Sequence, residues 1–124
     1  MKFYKCMKCK KIVIEAVGSP CEMLTCCEQP MKLMKAGESD GATEKHVPVV
    51  EQNGKNIKVS VGSVEHPMLE EHFIQFVAVE TTKGFQQKYL KPAEKPVAEF
   101  TLAEGEDFVA AYEYCNLHGL WKKE

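Results

Sequence analysis

The sequence contains no arginine: all 16 of its basic residues are lysines, and against 18 acidic residues they leave a formal charge of −2. That near balance provides no strong positive field, and no lysine-rich block is interleaved with aromatics, so nucleic acid is not an expected partner. Long apolar runs are missing as well. No stretch approaches the roughly 20 residues a membrane-spanning helix needs. The opening MKFYKCMKCKK has no apolar centre of the kind a secretory signal uses. The expectation is a cytoplasmic protein with no membrane partner. Internal repeats and low-complexity tracts are also lacking, and no segment reads convincingly as a helix.

What the chain does contain is a globular balance, with 44% hydrophobic and 27% charged residues. Its 124 residues suffice for one ordinary domain, or for a small module joined to a modest one. The composition favours the second arrangement. Residues 1–36 carry most of the cysteines and too little apolar material for a packed core, so an independent module there needs a metal to hold it together. AGESDGATEKHVP follows, and its Gly37, Ser39, Asp40 and Gly41 signal a flexible connection into a second part, residues 37–124.

From Val47 onward the chain reads as short strands separated by turn signals. VPVVEQ and KNIKVSV flank Asn53-Gly54, a dipeptide suited to a tight hairpin turn. HFIQFVAVETT, FQQKYL, VAEFTL, DFVAAYEYC and GLWKK follow, broken at Lys83-Gly84, Lys91-Pro92 to Pro96, Glu104-Gly105 and Asn116-Leu117. About seven β-branched and aromatic strands in this length predict an immunoglobulin-like β-sandwich, making the whole chain all-β.

Six cysteines in so short a chain admit two readings: two disulfides with spare thiols, or metal binding. Five lie within residues 6–27 and one stands alone at Cys115, and in a reducing compartment such clustering favours metal. Cys6 and Cys9 sit at a spacing that brings both sulfurs to one tetrahedral ion, and Cys26 and Cys27 can supply the other two if these neighbours splay apart. Thiolate softness suits iron or zinc equally. Cys21 is a fifth thiol, which could replace Cys26 as a ligand or stand free near the site.

Only four histidines are present: His46, His66, His72 and His118. Each alone would pass for an ordinary core or surface residue. However, His118 follows Cys115 in YCNLHG, where Asn116 and Gly119 suggest a loop presenting thiolate and imidazole together. His66 and His72 bracket PMLEE, and His46 directly precedes a strand beside Glu44 and Lys45. This donor set suits iron, copper or zinc. A blue-copper site of cupredoxin type is the alternative, but it uses two histidines and a weak axial ligand, whereas Gly119-Leu120-Trp121 follows here and two histidines are left over.

CMKC followed by CC, together with EKHVP, HPMLEEHFI and CNLHGLW in that order, resembles the desulfoferrodoxin class of superoxide reductases over nearly the whole chain. The resemblance implies a desulforedoxin-like four-cysteine module followed by a superoxide reductase β-sandwich. It makes His46, His66, His72 and His118 equatorial ligands of a catalytic iron with Cys115 as axial thiolate, and Cys6, Cys9, Cys26 and Cys27 ligands of a tetrahedral iron. Glu44 and Lys45 would then sit on a mobile loop above an open sixth position, Lys45 attracting superoxide and Glu44 capping the ferric ion. It further implies a rubredoxin-like electron donor and a homodimer. Two departures stand out: the extra Cys21, and Phe76 where a tryptophan is common, which bears on packing and not on chemistry.

Overall fold

The computed structural model describes residues 1–39 and 41–124 and divides into two compact units, Met1–Lys35 and Ala36–Glu124. In the first unit, β1 (Phe3–Lys5) lies between β2 (Ile12–Ile14) and β5 (Lys32–Leu33), both antiparallel to it. A second hairpin pairs β3 (Thr25–Cys26) with β4 (Gln29–Pro30). Strands of two or three residues cannot build a core by themselves, so turn geometry around the cysteines defines this unit more than hydrophobic pattern does.

The second unit opens with a single helical turn, α1 (Thr43–His46). Seven strands follow: β6 (Pro48–Asn53), β7 (Asn56–Val61), β8 (Ile74–Thr81), β9 (Gly84–Tyr89), β10 (Val97–Thr101), β11 (Phe108–Cys115) and β12 (Gly119–Lys123). They form two antiparallel sheets, ordered β10-β7-β6 and β12-β11-β8-β9. Strands that switch sheets in this way make a Greek-key sandwich, as the strand pattern predicts.

The core lies between the sheets. Alternation along β7 buries Ile57, Val59 and Val61 against Val77 and Val79 of β8 and Ala98 and Phe100 of β10. Each of the valine, isoleucine and phenylalanine side chains contributes roughly 1.5–3 kcal/mol by leaving water. Cys115 belongs to this same cluster, so the end of β11 carries a thiol directly into the apolar interior. Between Ala111 and Cys115, β11 also carries Glu113, fully buried, with no donor to either carboxyl oxygen among the described residues. Burial raises it well above the usual carboxylate range, so it is held as a neutral acid. Phe76 is buried and stacks on Tyr114, with centroids 5.7 Å apart, a packing role.

Two expectations need correction. The segment after residue 36 is not a free connection, because Gly37 donates its N–H to Leu120 O (2.8 Å) and the Ser39 hydroxyl donates to His118 O; Asp40, in the same expected connection, lies outside the described residues. Glu44 and Lys45 lie on α1 and not on a loop, and the Glu44 carbonyl accepts from Val64 N (3.0 Å) and Ser63 Oγ (3.3 Å). Strand pairing explains the capture, since β7 returns alongside β6 and leads straight into the segment that binds this turn.

Candidate metal centres

His46, His66, His72, Cys115 and His118 come together at one end of the sandwich, each offering a donor atom within 4.8 Å of the others. They reach that point from four places. His46 ends α1; His66 and His72 lie on the connection from β7 to β8; Cys115 ends β11; His118 lies in the turn before β12. A short bridge pairs Leu69 with His72, fixing the bend that turns His72 back. Successive rings meet edge-on around a closed circuit, His46–His66 (4.6 Å), His66–His72 (4.7 Å), His72–His118 (5.0 Å) and His118–His46 (4.8 Å), at interplanar angles of 73–84°.

The hydrogen bonds decide which nitrogens face inward. Neutral His46 donates through Nδ1 to Ala42 O (2.7 Å), and His66 through Nδ1 to Pro67 O (2.6 Å). Both Nε2 atoms are then lone-pair donors, yet they lie 3.1 Å apart, and His118 Nδ1 lies 3.1 Å from His46 Nε2. Buried His72 Nε2 has no hydrogen-bond partner among the described residues. The facing lone pairs of His46 and His66, with no proton between them, repel one another unless a cation takes its place there, so this donor set fits a metal ion.

Electrostatics points the same way. Burial is the largest cause holding His46 and His72 below the usual imidazole value, and it drives His66 down to about 4 against the pull of the Pro67 carbonyl. Neutral imidazoles are the form that binds metal. Burial pushes the Cys115 thiol up, opposed by the N–H groups of His118 and Leu117; His118 N lies 3.4 Å from the sulfur. Lys45, half-buried, is close enough for its charge to weigh on His46 and His72. Glu44 is exposed.

Three residues support this arrangement in ways that sequence reasoning missed. Asn116, read there only as a turn former, accepts from Phe73 N (2.9 Å) and donates to Glu71 O (3.1 Å), tying the His72 segment to the Cys115–His118 turn. Gly41 has no room for a side chain: a Cβ would lie 2.9 Å from His118 Cβ and from His46 Cε1. Trp121 stacks on His46 and donates to His118 O. Asn and Gly beside ligands were the only signals available.

In the first unit, Cys6, Cys9, Cys26 and Cys27 form the second donor group. All six cysteines are free thiols, and exposed Cys21 stands apart from the group. Cys9 N points at Cys6 Sγ (3.4 Å), and Cys9 Sγ lies 3.7 Å from Cys26 Sγ. The neighbours Cys26 and Cys27 both bring their sulfurs into the group. Left-handed backbone at Cys27 (φ 52°) and Glu28 (φ 62°) leaves their sulfurs 4.0 Å apart. The Cys9 N–H draws the Cys6 thiol down to about 6, whereas the nearby Cys9, Cys6 and Cys26 sulfurs push Cys27 up to about 12. Four thiolates cannot coexist here without a cation.

The sequence model of the desulfoferrodoxin family matches residues 38–124. The chain belongs to the desulfoferrodoxin family. It is 50% identical over 123 residues to the desulfoferrodoxin of Nitratidesulfovibrio vulgaris, covering 99% of this chain and 95% of that one. With the superoxide reductase of Thermococcus kodakarensis it shares 32% identity over 110 residues, covering 73% of this chain and 92% of the relative. The crystal structure of the superoxide reductase from Treponema pallidum is similar throughout, with a TM-score of 0.80, 37% identity and 98% of each chain covered. The single-iron superoxide reductase of Giardia intestinalis is similar over 64% of this chain and 95% of its own, with a TM-score of 0.57 and 32% identity. The two donor clusters match the iron centres of desulfoferrodoxins. Four imidazoles exceed the two a cupredoxin site uses, so the copper alternative is not favoured.

Proposed function

We propose that this chain reduces superoxide to hydrogen peroxide at an iron held by His46, His66 and His72 through Nε2, His118 through Nδ1 and Cys115 through its sulfur. The convergence of these five donors, with His72 Nε2 buried and unpaired, carries the reading. Iron there would supply the one electron the reaction needs and a positive charge that draws an anion; two protons from the medium complete the peroxide. Five protein donors leave room for a sixth ligand.

Lys45 attracts the anion, because a compact ammonium beside the rings adds to the local positive field and offers movable donors. Glu44, on the same turn, has an exposed carboxylate that would serve as an anionic donor to the oxidised ion. Residues 37–124 carry the reaction. Residues 1–36 hold a second iron through Cys6, Cys9, Cys26 and Cys27, for structure or electron relay. An external one-electron donor of rubredoxin type, a homodimer and a cytoplasmic setting complete the proposal. Among the described residues no helix is long and apolar enough to cross a membrane.

Metal analysis, visible spectra and superoxide consumption of the wild type and Cys115→Ser test it. The wild type should contain iron with a thiolate charge-transfer band and consume superoxide far faster than spontaneous dismutation. Cys115→Ser should lose the band and the rate. A wild-type protein that holds iron but leaves superoxide untouched would overturn the assignment, as would full activity without Cys115.

A further inference from the structure

Trp121, the chain's one tryptophan, touches two of the histidines from outside the donor set. Its ring lies nearly parallel to the His46 imidazole, with centroids 5.1 Å apart and 26° between planes. Its Nε1–H donates to the His118 carbonyl at 3.0 Å. Although His46 and His118 lie 72 positions apart, one rigid side chain fixes both. Trp121 also lines a surface cleft of about 480 Å³ with Ala36, Gly37, Val47, Lys122 and Lys123. Trp121 itself is only 5% exposed, and His46 behind it 2%. The indole is thus the wall between solvent and the back of the His46 ring.

We propose that Trp121 is a positioning residue for the metal centre, locking His46 and His118 in place and keeping water away from their rear. The inference rests on the reading of this cluster as an iron site. Hydrogen-bonded groups behind a ligand hold its orientation and commonly change metal affinity 10–100-fold. The apolar shell acts separately, through solvent access. Ferric iron carries one more positive charge than ferrous iron, so a dry surrounding favours the ferrous form and water admitted behind His46 favours the ferric form. The two effects separate by substitution. Trp121→Phe keeps a flat ring against His46 but loses the donor to His118. Trp121→Leu loses both, and the space it opens joins the cleft to a polar imidazole and carbonyl, a setting that water fills.

The experiment compares the wild type, Trp121→Phe and Trp121→Leu, each loaded with iron. Metal content and the thiolate band come first, and a wild type without them would sink the iron-site reading itself. For loaded proteins, iron release to a chelator should be roughly 10-fold faster or more in Trp121→Leu, and faster than wild type by a smaller factor in Trp121→Phe. The midpoint potential should fall in Trp121→Leu and stay near wild type in Trp121→Phe. In the metal-free proteins, ring nitrogen NMR signals of His46 and His118 should shift in both variants more than those of His66 and His72. Should Trp121→Leu fail to fold, release from Trp121→Phe decides alone. Wild-type release rates in Trp121→Phe, or a wild-type potential in a folded Trp121→Leu, would overturn the proposal.

Discussion

Gly62 sits where the chain leaves β7 and passes beneath the turn that carries Lys45 and His46. Its φ is +82°, and a Cβ built on it would meet Val64 O at 2.5 Å and the carbonyl carbon and oxygen of Lys45 at 2.7 Å, where ordinary contact begins near 3.4 Å. These are backbone atoms, so no side chain can rotate aside. Gly62→Ala therefore carries two costs: about 1–2 kcal/mol for left-handed backbone in an L-residue, and about 1–3 kcal/mol for overpacking. Gly54, at the first central position of the β6–β7 turn, isolates the first cost. Its φ is +63° and nothing lies within 4 Å of its Cβ position. Denaturant unfolding of both variants should show a loss of about 1–2 kcal/mol for Gly54→Ala and about 2–5 kcal/mol for Gly62→Ala. Only Gly62→Ala should also hold iron more weakly, because relief of its clash displaces the carbonyl one residue before His46. Equal losses in the two variants, or wild-type iron retention in a destabilised Gly62→Ala, would refute the reasoning.

Cys27→Ser should empty the four-cysteine site while superoxide reduction continues at nearly the wild-type rate, measured by metal stoichiometry and stopped flow; joint loss would mean obligatory relay. Lys45→Ile should slow the encounter of superoxide with the reduced protein roughly 10-fold and flatten its salt dependence, whereas Glu44→Ala should leave that rate unchanged; equal rates and salt slopes in wild type and Lys45→Ile would return the lysine to an ordinary surface role. Glu113, held neutral by burial, gives stability a defined pH dependence: its carboxyl favours the folded state fully below the unfolded value near 4.5, and that contribution is lost as pH rises toward the raised folded value. Measured by denaturant at matched iron content, Glu113→Gln should gain on the wild type by up to about 1.4 kcal/mol per pH unit above that point, and parallel stability curves would show the carboxyl to be hydrated.

The strands of the second unit could be read from sequence because Gly, Pro and Asn punctuate runs of β-branched and aromatic residues, and each run is long enough to alternate. Those of the first unit are too short for any period to show. The turn α1 escaped for a different reason. Thr-Glu-Lys-His has no side-chain cap, and what holds it is Val64 and Ser63 from a distant segment, which no local pattern encodes. Gly41 misled: a glycine among Ser and Asp reads as flexibility, yet here it permits close approach to two imidazoles. The donor residues were readable because the chain has only four histidines, because its cysteines cluster, and because both fall in short distinctive segments. The supports were not, since Asn116 reaches Phe73 across 43 positions of chain and Trp121 stacks on the distant His46, contacts that only the closed sandwich creates.

The wide spacing of the five donors makes the centre a late product of folding. Cys115 and His118 arrive on one turn, but His46 and His66 reach it only after β6, β7, β11 and β12 have docked, and the long loops that must close make such contacts slow to form. Before that docking, this end of the sandwich offers a metal only part of its donor set. Iron with redox activity becomes fixed only where the surrounding fold is already able to contain its chemistry, so occupancy of the site serves as an inspection mark on a finished molecule.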